Sequence, residues 1–222
     1  MQSKQMSETM ITTAFLTVSG GLKDAYTYCC RGEVFAHAQT GNIVLLGANR
    51  FSGRFGAALH YLLPILAFAL GIFVAVQVRR RYQGLQGLHW RQMVLLGEIA
   101  LLVLVGFFPQ SWNAAANVTI SFVCALQVQT FRKVASNAYA STMCTGNLRS
   151  GIEALCTFLH SRDRAALQKA GAYFAVIGFF TLGAGLGAVL TRVWHERTIW
   201  LSCALLAVSF LLMFRQGESQ AE

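Results

Sequence analysis

The sequence predicts an all-α integral membrane protein, and three observations carry that reading: composition, the shape of the apolar runs, and an internal repeat. Of 222 residues, 55% are apolar and 12% charged, against about a quarter charged in typical soluble domains. Mean hydropathy is +0.50. The apolar residues gather into long runs with charges pushed to their edges, as a bilayer demands. Thr40-Gly41-Asn42 recurs as Thr145-Gly146-Asn147, an offset of 105 residues (145 − 40).

In chain order, the first ten residues are polar, and no small-residue cleavage pattern closes a short apolar core, so no secretory signal peptide is expected. Apolar runs follow at 11–22, 57–78, 94–108, 114–126, 139–155, 170–190 and 199–214. Run 57–78 contains no Asp, Glu, Lys or Arg, and as a helix it is roughly 33 Å long, enough to span. It stops at Arg79-Arg80-Arg81, which fits a cytoplasmic boundary. Pro64 predicts a kink within it. Several other runs are short for a crossing unless their neighbours extend them. Trp90 and Trp112 bracket run 94–108, and Trp194 and Trp200 open the last one, positions that suit the headgroup level.

Gly183-Ala-Gly185-Leu-Gly187 sits within an apolar run, where close helix packing is a better reading than a nucleotide loop. The six cysteines, Cys29, Cys30, Cys124, Cys144, Cys156 and Cys203, lack metal-ligand spacing and read as small packing residues; the adjacent Cys29 and Cys30 leave a redox alternative. A formal charge of +9 is distributed between apolar runs, so membrane topology accounts for it and nucleic acid is not an expected partner.

Around the repeated tripeptide, Tyr26 faces Phe131 and Gly32 faces Asn137 at the same offset, the latter two being residue types that tolerate positive φ. Two structural repeats follow, about 8–110 and 113–216, within one membrane domain. With three crossings per repeat, one side holds Lys4, Arg79, Arg80, Arg81, Arg91, Arg162, Arg164, Lys169 and Arg215, and the other Arg50, Arg54, Arg192 and Arg197. That bias predicts six spans with both termini cytoplasmic. An odd number of crossings makes the repeats inverted, a plan common in secondary transporters. If Thr-Gly-Asn lies in a full crossing, the alternative is eight spans and a weaker bias.

The motifs Gly21-Leu-Lys-Asp24-Ala25, Phe35, Thr40-Gly41-Asn42, Ala125-Leu126-Gln127, Thr142 and Thr145-Gly146-Asn147-Leu148 resemble the YoaK-like (DUF1275) family of bacterial inner-membrane proteins, a domain of unknown function. The resemblance covers nearly the whole chain and implies an integral inner-membrane protein; it brings no activity with it. The sequence departs from that pattern at Val128, where the family has Asn after Gln127.

Thr-Gly-Asn in an apolar setting combines helix-capping side chains with a flexible glycine, so each copy is expected to break a helix or re-enter the membrane. Two such breaks need a shared polar centre, with half-helices beginning near Asn42 and Asn147 and aiming their N–H groups at it. The expected substrate-binding set is Thr40, Gly41, Asn42, Thr145, Gly146 and Asn147, flanked by Asp24 and Gln127. Ionisable groups at membrane depth mark pathways, and Asp24, His37 and Glu98 are the candidates for proton or ion coupling. The alternatives are a simple cancellation of Asp24 by its neighbour Lys23, and a pairing of Glu98 with Lys23 or Arg132. No catalytic residue, metal or cofactor is implied. A small secondary transporter or channel for an anionic or zwitterionic solute is expected, in the lipid bilayer, with a homodimer as one way to complete a pathway. The alternatives are a membrane-embedded enzyme using His37, Asp24 and Cys29 or Cys30, or a non-transporting sensor or assembly factor.

Overall fold

The computed structural model describes residues 10–83, 90–131 and 144–218. Among the described residues the chain is helical without strands. Eight α-helices follow one another: α1 (Met10–Cys30), α2 (Gln39–Phe51), α3 (Phe55–Tyr82), α4 (Trp90–Val105), α5 (Asn113–Thr130), α6 (Cys144–Ser161), α7 (Arg164–Trp194) and α8 (Ile199–Glu218). Lys4, Arg132, Lys133, Asn137 and Thr142 lie outside the described residues.

Small side chains decide how these helices meet. Gly183 of α7 packs against the backbone of Val18 in α1, and a Cβ at Gly187 would stand 2.8 Å from Leu22 O, so α1 and α7 run parallel and nearly touch. The glycine-rich run is therefore a packing seam. On the other side Gly71 of α3 meets Phe122 and Ala125 of α5. Helices α4 and α8 run antiparallel: Cys203 Sγ approaches Ile99 O at 3.9 Å, and Trp200 Nε1 donates to Val103 O at 3.1 Å. Helix α2 packs on α3, and α6 on α7. An apolar core of Leu16, Tyr26, Leu95, Leu102, Ile120, Val123 and Leu206 fills the space between α1, α4, α5 and α8.

One end of this bundle, here the upper end, is tied together by Arg31. This side chain is fully buried, yet all five of its N–H groups have acceptors: Nε donates to Tyr26 OH (2.8 Å), Nη1 to Pro109 O (3.2 Å) and Asn113 Oδ1 (3.0 Å), and Nη2 to Val105 O (3.3 Å) and Phe108 O (2.9 Å). Val105 O also accepts from Phe108 N (3.0 Å) and Pro109 O from Trp112 N (2.9 Å), and the carbonyls at the C-terminal end of a helix carry partial negative charge, so together they stand in for a carboxylate. Asn117 Nδ2 donates to Arg31 O in return (2.7 Å). Tyr26 OH also donates to Glu196 O (3.0 Å), which places the α7–α8 turn at this end. Glu196 is held below the usual carboxylate range by hydrogen bonds from its own backbone and Gln110, and by Arg31.

Outward-facing surfaces invert the usual order of a soluble helix. On α3 the large residues Leu59, Leu63, Leu66, Leu70 and Phe73 are exposed, while Ala58, Pro64, Ala67, Gly71 and Ala75 are buried. Leu182, Leu186, Val189 and Val193 form the matching exposed stripe on α7. Phe55–Tyr82 and the helical stretch Arg164–Met213 are long and apolar enough to cross a membrane, with only 28% and 22% of their most apolar windows buried. Helix α3 continues through Pro64. The tryptophans differ among themselves: Trp112 and Trp194 are exposed at the upper end, whereas Trp90 is buried against Ala75, Val94 and Leu126 and does not sit on an outer surface.

Candidate functional site

After α1 ends at the upper end, the chain turns back into the bundle. Gly32, at φ +90°, makes the reversal, a conformation that costs glycine little. His60 Nε2, in the second turn of α3, bonds Gly32 O at 2.8 Å. Residues 33–38 then descend until the His37 amide donates to Asp24 Oδ1 at 2.6 Å. Asp24 lies six residues before the end of α1, about 9 Å down its axis. From this level α2 starts at Gln39 and returns upward to Phe51, and its 13 residues make only a half-length helix of about 20 Å. It is a short element that begins inside the bundle and returns to the end from which its loop came.

The Thr-Gly-Asn motif sits in the first turn of that half-helix, and its residues act differently from the expected capping. The N-cap is Ala38, and no side chain caps α2. Thr40 is exposed. Asn42 is fully buried and clasps the descending loop: Oδ1 accepts from Phe35 N (3.0 Å), while Nδ2 donates to Phe35 O (2.7 Å) and Gln39 Oε1 (2.9 Å). Both of its amide hydrogens are thus committed to holding the loop. Gly41 lets the Phe35 ring lie on the helix, where a Cβ would stand 2.8 Å from the ring.

In the second copy, helix α6 is described from Cys144, and Thr145, Gly146 and Asn147 lie in its first described turn, with Thr145 and Gly146 exposed and Asn147 buried. A Cβ on Gly146 would meet nothing within 4 Å. Asp24 anchors the loop before α2, and α6 reaches α1 through α7, on which both pack.

Beside this lies a buried polar cluster at mid-height. Lys23 and Asp24 do not cancel one another. As neighbours on a helix they point apart, and Lys23 Nζ instead donates to Gln127 Oε1 across the α1–α5 crossing. Gln127 Nε2 donates to Leu16 O (2.8 Å), so both ends of the amide are engaged. Ser19 and Ser202 hydroxyls bond at 2.6 Å. Glu98, midway along α4, is fully buried and neither of its oxygens has a hydrogen-bond partner among the described residues. Leu95 and Leu102, one turn either side of Glu98 on α4, pack in the same core as Leu16 and Tyr26, which lie on the Lys23 face of α1. The His37 ring is buried too, with Nδ1 3.8 Å from Asp24 Oδ1 and neither ring nitrogen hydrogen-bonded.

Asp24, His37, Glu98 and Gln127, named from the sequence, are all buried; the bond of Lys23 to Gln127 and the role of Arg31 were not read from it. Cys29 and Cys30 stay at the upper end, where Cys30 Sγ accepts from Gln110 Nε2 (3.3 Å), apart from Asp24 and His37.

No curated protein and no solved structure matches this chain. The family model described as a protein of unknown function (DUF1275) matches residues 12–212. That span takes in every helix described above, and the chain belongs to the DUF1275 family.

Proposed function

We propose that this is a six-span inner-membrane transporter or channel for a small anionic or zwitterionic solute, built from two inverted repeats whose half-helices α2 and α6 face a common centre. The observation that carries this reading is the repeated Thr-Gly-Asn near the start of two helices, α2 (13 residues) and α6 (18 residues), with α2 led in by a loop held on the buried Asp24 through its 2.6 Å bond from His37 N.

The repeat plan is supported element by element. Adding 105 residues maps α1 to α4 onto α5 to α8 in order, and each packing of one half on the other has its mate: α1 on α7 with α5 on α3, and α1 on α8 with α5 on α4. The equivalent helices α4 and α8 pack antiparallel, which is what an axis in the membrane plane produces. Large apolar side chains outside and small ones inside fit a lipid surround rather than water. Arg50, Arg54, Arg192 and Arg197 flank the upper turns, while Arg79, Arg80, Arg81, Arg91, Arg162, Arg164 and Lys169 flank the opposite end, so the lower end is the cytoplasmic one.

The N-terminal end of α2, which no side chain caps, favours negative charge, and Asp24 beside it suits the ammonium of a zwitterion. A thermal-shift screen of the purified chain against metabolites and ions tests this, because a ligand that binds only the folded state raises the unfolding temperature. The expected result is a carboxylate- or phosphate-bearing ligand that stabilises the wild type and loses its effect in Gly146→Val, where added bulk fills open space without a clash. An undiminished shift in that variant would remove the site from where it is placed here.

A further inference from the structure

Glu98 poses a problem that the transport reading leaves open. A buried carboxylate without donors costs several kcal/mol, so it requires either a proton or a cation. The cation turned toward the same core is Lys23, since Leu16 and Tyr26 on its face of α1 pack with Leu95 and Leu102 on the Glu98 face of α4, yet its ammonium is spent on the Gln127 carbonyl. A lysine head carries three donors on a flexible four-carbon stem, so it can change acceptors.

The surroundings restrict what else can take part. Asp24 on α1 is turned toward the His37 amide. Cys124 on α5 lies within the fields of Lys23, Asp24 and Glu98, and Cys203 on α8 approaches Ile99 O. Helix α3 meets α4 around Ala75 and Trp90 and carries no ionisable residue between Tyr61 and Arg79. On α4 itself the nearest charge in sequence is Arg91, two turns away. Lys23 and Glu98 are therefore left to each other.

We propose that Lys23 and Glu98 form the chain's proton-binding pair: Glu98 takes up one proton while Lys23 rests on Gln127, and releases it when Lys23 swings onto the carboxylate. One proton from water adds to the carboxylate oxygen, the ammonium keeps its own protons, and the cluster gains one positive charge; release reverses each term. The coupling has a route. Lys23 is bonded along α1 to Asp24, the residue that anchors the loop ahead of α2, so a change of partner at Lys23 bears directly on that half-helix. This rests on the transport reading and supplies its coupling ion.

Infrared difference spectroscopy of the full chain in lipid nanodiscs, titrated with pH in ordinary and heavy water, reads the pair without any substrate. The expected result is a protonated-carboxyl band that titrates in the wild type and is absent from Glu98→Gln. In Lys23→Met the proton affinity of that band should rise roughly tenfold or more, because a nearby positive charge has been removed. A wild type with no titrating carboxyl band overturns the proposal without recourse to any variant, as does a band that survives Glu98→Gln or keeps its midpoint in Lys23→Met. A ligand-induced thermal shift without the carboxyl band would sink the proton pair and leave transport standing. The band without any ligand response would do the reverse.

Discussion

Arg31 shows how single residues hold this molecule together. With all five donors used on Tyr26, Asn113 and the end of α4, it joins the start of the re-entrant loop to the α4–α5 turn. Arg31→Lys removes the fork and leaves several buried acceptors unpaired, each costing roughly 1–3 kcal/mol. The expected outcome is a loss of at least about 3 kcal/mol in thermal or denaturant unfolding, and a loss under about 1 kcal/mol would show that the fork is not structural. Asn42→Ala should free the loop it clasps, at a cost of about 1–3 kcal/mol, with amide exchange rising at Phe35 and His37. Asn42 was visible in the sequence through repetition, although its role as a clasp was not, because that depends on a partner seven residues upstream across a turn. Nothing marked Arg31, since its acceptors are mostly backbone carbonyls more than seventy residues away and carbonyls carry no sequence signal.

At the scale of elements, glycine spacing sorts packing seams from open site. Gly183 faces the Val18 backbone without room for a side chain, whereas Gly146 faces open space. Gly183→Ala should destabilise the chain by about 1–3 kcal/mol through overpacking, while Gly146→Val should leave the unfolding midpoint within about 0.5 kcal/mol of wild type and act only on ligand response. Equal destabilisation by the two would undo that distinction. The apolar runs located seven of the eight described helices, all but α2, and the packing role of the glycine-rich run in α7 was legible from its small-residue spacing. The start of α2 was less so: it begins at Gln39, three residues ahead of the expected Asn42, because the break is made by residues 31–38 and not by the motif. Trp90 was misplaced for a similar reason, since a tryptophan beside an apolar run is equally suited to a headgroup or to a packed corner.

For the whole molecule, the proposed repeat rests in the sequence on one tripeptide and its offset, while the meeting of the two proposed halves depends on helix pairs far apart in sequence. The charge bias between the ends predicts that cysteines introduced at Arg54 and at Arg80 label from opposite sides of a sealed vesicle; labelling from one side would discard the six-span plan. The central claim, that α2 and α6 enter from opposite ends and start beside a common centre, is tested most directly by spin labels at Thr40 and Thr145. They are introduced as cysteines after the six native ones are replaced, and their separation is measured by pulsed electron resonance in nanodiscs. Starts that converge at mid-membrane predict a separation of about half the ~30 Å hydrocarbon thickness. A separation of ~30 Å or more would place the two motifs at opposite faces and contradict the account.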